Sequence, residues 1–161
     1  MSIKNLEPKS VWTNFYGITR IPRPSKHEEK IREYLLGWGR ERGIESFTDK
    51  TGNVILRVPA TPGYENRKGV VLQGHMDMVP QKNADKVHDF EKDPIETWID
   101  GEWVEAKGTT LGADNGLGVA MAMAAITFST LHIPTRFMSV WISKSSVTIP
   151  LTLFTILSPL R

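Results

Sequence analysis

The sequence predicts an α/β domain, a mixed sheet flanked by helices. Three observations predict it. Residues 25–43 carry an amphipathic helical pattern with a start and a stop signal. Residues 53–59 and 69–74 are apolar runs of strand length bounded by turn residues. Residues 117–126 (LGVAMAMAAI) are small and apolar and follow a glycine-rich stretch, which suits a helix packed closely on a sheet. The 161 residues suffice for one domain with its own core, and 40% hydrophobic with 24% charged residues is an ordinary soluble composition.

The elements follow in order. In residues 7–20, Val11, Trp12, Phe15, Tyr16 and Ile18 fall on one face of a short amphipathic helix. The prolines of IPRPS (21–25) break it. Ser25 with Glu28 three residues on reads as a capping box, Ile31, Tyr34, Leu35 and Trp38 follow at helical spacing, and Gly43 is the C-cap. Thr51-Gly52-Asn53 is a turn into a strand over 53–59. GVVLQG (69–74) reads as a strand buried on both faces. Asp100-Gly101 between two β-prone runs (97–106) is a hairpin signal. No internal repeat is present.

Composition also excludes function classes. Net charge is +2 and no Lys/Arg stripe forms, so nothing points to nucleic acid. There is no cysteine, which removes disulfides and thiolate metal sites. Lys4 and Glu7 stand where an export signal needs an apolar core, so the expected localisation is cytoplasmic.

Two stretches carry chemistry. LQGHMDMVPQ (72–81) sets His75 and Asp77 two residues apart just past a strand, where α/β sheets place their sites. In an extended chain these side chains share a side. Asp77 then accepts from one ring nitrogen of His75 and leaves the other nitrogen to a metal. A histidine and aspartate paired for structure alone meets the same pattern. GTTLGADNGLG (108–118) holds four glycines around Asp114 before the apolar helix. Asp114 is either the N-cap of that helix or a carboxylate able to bridge two cations.

Together, Gly74-His75-Met76-Asp77 and Gly112-Ala113-Asp114-Asn115-Gly116 resemble the dinuclear zinc peptidases of the aminoacylase/carboxypeptidase (M20-type) clan. The intervening MVPQKNADKVHDFEKDPIETWIDGEWVEAKGTTLGADNG is similar to the Xaa-His dipeptidases, also known as aminoacyl-histidine or cytosol non-specific dipeptidases. The resemblance runs from LEPKSVWTNFYGITRIPRPSKHEE to about Ile126. It implies a partial zinc-peptidase catalytic domain. His75 is implied as ligand to one zinc, Asp114 as the bridge between two zincs, and Asp77 as the catalytic-site residue orienting His75. The implied cofactor is zinc, two ions in the full-length family, with other divalent metals as alternatives. The implied substrate is a dipeptide, attacked by a metal-bound water with a glutamate as general base. A homodimer is implied for the full-length family, and neither nucleic acid nor membrane is a partner. Other members of the clan, a tripeptidase or a deacylase, share the two short motifs. A non-catalytic fragment acting only by binding is the reading from a different class.

The sequence departs from that family after Ile126. The family's general base lies in a downstream Glu-Glu pair, and the one such pair here, Glu28-Glu29, belongs to the early helix. Residues 127–161 contain no Asp, Glu or Gly, and their basic residues are Arg136, Lys144 and Arg161. Without these three the 20 basic residues become 17, against 18 acidic ones. The expectation is therefore a division into 1–126, the N-terminal part of the catalytic domain, and 127–161, an atypical non-family tail such as a frameshift or truncated frame produces. Lost later strands would leave sheet edges unpaired. A membrane anchor at IPLTLFTILSPL is disfavoured, because about 20 apolar residues are needed to span. Such a chain is expected to be weakly active or inactive.

The remaining candidates have plain readings. His27 and His88 are expected at the surface, and His132 matches nothing in the family. Trp98 and Trp103 are expected as a cross-strand packing pair. Met121 and Met123 are expected as core fillers.

Overall fold

A computed structural model describes residues 2–127 and 137–143. After a short 3-10 turn at Ile3–Asn5 come helix α1 (Lys9–Thr19) and helix α2 (Glu29–Arg40). Strands β1 (Glu45–Thr48), β2 (Val54–Pro59) and β3 (Val70–His75) follow. A hairpin of β4 (Thr97–Asp100) and β5 (Trp103–Ala106), helix α3 (Ala113–Thr127) and strand β6 (Phe137–Ser143) complete the order. Four strands form one sheet in the order β1-β2-β6-β3. β1 and β2, and β2 and β6, pair antiparallel; β3 and β6 pair parallel. The mixed sheet flanked by helices is thus present.

The first helix forms where the apolar spacing places it. Pro8, whose missing N–H costs nothing at a helix start, is the N-cap. Phe15 and Ile18 are buried, and Val11, Trp12 and Tyr16 pack at the rim of the core. α3 packs against α1 and against β3 and β6, and α2 lies on β1 and β2. Ile31, Leu35, Val54, Leu56, Met76, Val119, Met123, Val140 and Ile142 join into one core.

Several expectations are corrected. The capping box does not form: α2 has Glu28 as N-cap with no side-chain cap bond. Glu28 instead accepts from the backbone N–H of Lys26 at 2.5 Å, and the Ser25 hydroxyl turns elsewhere. β3 is not buried on both faces; Val70 and Gln73 are exposed, because β3 ends the sheet among the described residues. The hairpin pairs Asp100 with Trp103, so its loop is Gly101-Glu102, one residue later than read. That register sets Trp98 opposite Glu105. The two tryptophans are diagonal rather than opposed, and Trp103 is 73% exposed. Met123 is buried in the core, but Met121 points outward and is 51% exposed. His27 is exposed as expected, whereas His88 is buried, its ring edge-on to Phe90 at 4.5 Å.

β1 and β6 have no counterpart in the sequence reading. β6 inserts between β2 and β3, with Val140 and Ile142 fully buried. The boundary expected at residue 126 falls at the end of α3. His132 and the segment 149–160 lie outside the described residues. Among the described residues, no helix is long and apolar enough to cross a membrane.

Candidate active site

The site forms where a parallel strand ends and the helix of its crossover begins. His75 is the last residue of β3, and Asp114 lies in the first turn of α3. A crossover helix starts above the carboxyl edge of the strand before it, so the topology carries these side chains together although 39 residues separate them. Close packing helps. At Gly74 any Cβ would meet Val119 Cγ2 at 3.2 Å and Asn115 Oδ1 at 3.3 Å.

His75 is held by both of its ring nitrogens. Nδ1 lies 2.9 Å from Asp77 Oδ1, and Nε2 lies 3.1 Å from Asp114 Oδ1. The two carboxylates differ in setting: Asp77 is 5% exposed, whereas the Asp114 side chain is 94% exposed. Asp114 and Asn115 have non-helical backbone angles and a cis peptide between them, and the regular helix starts after them. The extended backbone of Asp114 is compatible with an N-cap position, and its Oδ1 faces His75 Nε2.

This contact has an electrostatic consequence. A neutral imidazole carries one N–H and one lone pair. With two carboxylates at its two nitrogens, one lone pair must face a carboxylate oxygen at about 3 Å unless a cation lies between. A proton on the second nitrogen removes the conflict, and so does a metal ion. Imidazole nitrogen and carboxylate oxygen are donors that suit divalent cations.

Two further residues, both missed from the sequence, fix this arrangement. The Ser25 hydroxyl donates to Asp77 Oδ2 at 2.5 Å and also lies 3.3 Å from the carbonyl of Met78. The Arg23 guanidinium, 2% exposed, donates through Nη1 to the carbonyls of Met76 (3.0 Å) and Asp77 (3.1 Å). Its Nη2 donates to Gly112 (2.5 Å). Burial lowers the Arg23 pKa to about 10, and the charge of Asp77 opposes that shift. Backbone bonds from Met78 N–H to Arg23 and from Ser25 N–H to Met78 zip the segment against the strand exit. In the sequence, Arg23 and Ser25 stand in a proline-rich break, where extended backbone was readable but its pairing partner was not.

No other carboxylate or imidazole completes a ligand set: among the described residues no group of three or more His, Cys, Asp or Glu is arranged around one ion position. A cleft of about 450 Å³ beside α3 is mainly apolar and lined by residues such as Trp12, Phe15, Ile99, Val104 and Leu117. His75 and Asp114 do not line it.

Comparisons with known proteins agree with the resemblance drawn from the sequence. No family model matches the chain. It is 57% identical over 124 residues to the cytosol non-specific dipeptidase of Escherichia coli, a match covering 77% of this chain and 26% of that protein. Its structure is similar to that of an aminoacylhistidine dipeptidase from Vibrio alginolyticus, with a TM-score of 0.82 and 46% identity over 94% of this chain and 30% of the other. An aminopeptidase from Bacillus cereus (TM-score 0.69, 23% identity) and a tripeptidase from Staphylococcus aureus (TM-score 0.67, 17% identity) share the fold. Each match covers 86% of this chain and 36% of the other. The chain thus spans about a quarter of the length of the curated relative it matches. Its fold is the mixed α/β fold of these peptidases, present as part of a domain.

Proposed function

We propose that this chain carries the His75–Asp114 part of a metal-dependent dipeptidase site of the Xaa-His type, and that residues 1–161 turn over little substrate by themselves. The observation behind this reading is the facing pair, a histidine nitrogen and an open carboxylate oxygen 3.1 Å apart at the carboxyl edge of a sheet. The residues present fit a divalent cation, preferentially zinc. Bonds of about 2.0–2.2 Å from one tetrahedral ion would set the two donor atoms about 3.4 Å apart, a few tenths of an ångström beyond the distance seen.

Each residue has a role in that reading. Asp77 holds a proton at Nδ1 of His75, which keeps the Nε2 lone pair available and makes it a better donor. Asp114 offers its solvent-facing carboxylate, whose two oxygens can serve one ion each. When bound, such cations supply Lewis acidity toward a peptide carbonyl and toward water. The buried Arg23 and Ser25 hold the two carrier loops at fixed separation. Residues 127–161 contain no carboxylate side chain that could act as general base, and a site working without its base is typically slower by about 10²- to 10⁴-fold.

The 57% identity to a dipeptidase supports the dipeptide class over the tripeptidase alternative, for which the likeness is one of fold. A dipeptide substrate, a cytoplasmic location and a dimer for a full-length relative belong to the same proposal. A chimera tests it: residues 1–126 replace the matching segment of the Escherichia coli enzyme, and the product is assayed on Xaa-His dipeptides with zinc. The chimera hydrolyses them, the isolated chain does so at least about 10²-fold more slowly, and His75→Ala abolishes the chimera's activity. A chimera that folds but is indifferent to His75→Ala contradicts the assignment.

A further inference from the structure

We propose that Ser25 is a positioning residue: its hydroxyl locks the Asp77 carboxylate onto His75 Nδ1 and so sets which ring nitrogen of His75 is presented outward. The inference rests on the metal-site reading of His75 and goes beyond it by naming what fixes the ring.

The argument starts from competition for Asp77. This carboxylate is buried, so each of its oxygens needs a donor. Oδ1 has the Nδ1 of His75 at 2.9 Å, and Oδ2 has the Ser25 hydroxyl at 2.5 Å. A rival donor is tied to the same residue: Arg23 Nη1 donates to the Asp77 backbone carbonyl at 3.1 Å. The Arg23 guanidinium feels the charge of Asp77, and its Nε is buried with no acceptor. A buried cation with an unused N–H would draw a carboxylate that is free to rotate. Ser25 removes that freedom, because its own backbone is fixed: its N–H is bonded to the carbonyl of Met78 beside the strand exit. With Asp77 held, the neutral ring keeps its proton on Nδ1, and Nε2 is left as the lone-pair donor facing Asp114. Without Ser25, Asp77 turns toward Arg23, Nδ1 keeps only the neutral backbone carbonyl of Asp77 at 3.2 Å, and the proton moves to Nε2 to face the charged Asp114 carboxylate at 3.1 Å.

The tautomer is directly measurable. Long-range ¹H–¹⁵N spectra resolve the ring nitrogens of the four histidines of the metal-free chain, and the tautomer is read where the ¹⁵N shifts themselves report a neutral ring. His75→Gln identifies the His75 signals. In the wild type His75 is mainly the Nδ1–H tautomer. In Ser25→Ala the Nε2–H form becomes the major one, and Ser25→Thr, which keeps the hydroxyl, restores the wild-type ratio. If the alanine variant does not fold, Ser25→Cys, of similar size but with a weak donor, is held to the same expectation. A wild-type ring protonated mainly at Nε2 overturns the proposal, as does a removed hydroxyl that leaves the ratio unchanged. Added Zn²⁺ separates the two readings. If zinc leaves the wild-type His75 signals untouched, the metal reading falls, while the tautomer ratio still decides the role of Ser25.

Discussion

Arg23 and Gly112 meet at the centre of the site's scaffold: the guanidinium Nη2 donates to the Gly112 carbonyl at 2.5 Å, joining a proline-rich break to a loop 89 residues later. Through Nη1 the same group holds the carbonyls of Met76 and Asp77. One buried cation thus fixes the relative position of the loop bearing His75 and Asp77 and the loop bearing Asp114.

Gly112→Ala breaks this junction for two reasons. Gly112 has φ +71°, which an L side chain adopts at a cost of about 1–2 kcal/mol. A Cβ there would also collide with the Arg23 guanidinium and lie 2.8 Å from Met78 Sδ. The expected destabilisation is about 2–4 kcal/mol in urea unfolding. A loss below about 0.5 kcal/mol would show that the loop moves freely.

Arg23→Lys tests the fork itself. Lysine keeps the charge, but a single ammonium cannot reach three carbonyls spread over two loops. About 2 kcal/mol or more of stability is lost, since a buried carbonyl left without a donor costs about 1–3 kcal/mol. Equal midpoints for the two chains would show that charge alone suffices.

Ile142→Ala tests whether residues 137–143 belong to the core. Ile142 is fully buried in β6, between β2 and β3. The substitution costs about 2–5 kcal/mol if the strand is in place. An unchanged urea midpoint would place this segment outside the folded domain, as the composition of 127–161 alone suggests.

Asp49 sets part of the acid limb. Burial opposes its ionisation, but hydrogen bonds from Asn53 and Thr51 outweigh that, and its pKa lies below the usual carboxylate value of 3.8. A carboxyl group with a depressed folded pKa stabilises above its unfolded pKa, and that contribution disappears as pH falls through the folded value. Asp49→Asn therefore lowers the urea midpoint at pH 6 and flattens its decline below about pH 4. Parallel curves for the two proteins would rule Asp49 out as a source of the acid sensitivity.

Much of this architecture is legible from residue pattern because it is locally encoded. The helix around Phe15 and Ile18 and the apolar face of Ile31, Leu35 and Trp38 follow from periodicity, and the strand at 54–59 from an apolar run that begins at a turn. The His-x-Asp spacing likewise anticipates the hydrogen bond from His75 to Asp77, because residues two apart in extended chain share a side. What escaped depends on tertiary partners. β1 (ESFT) is too short and polar to announce itself and exists by pairing with β2. β6 lies in a stretch whose composition points away from the domain. Ser25 has the spacing of a helix cap, yet Asp77 lies 52 residues away in sequence and takes the hydroxyl. Arg23 looks like a surface residue between prolines, and only the fold shows it buried against three carbonyls. His88 sits in a polar segment, and its burial depends on how that loop folds back.

The central claim is that His75 and Asp114 share a divalent cation, and calorimetric titration of the metal-free chain with Zn²⁺ tests it most directly. The account predicts saturable binding that weakens at least about tenfold in either His75→Ala or Asp114→Ala. Zinc affinity that is the same in the wild type and both variants would contradict it.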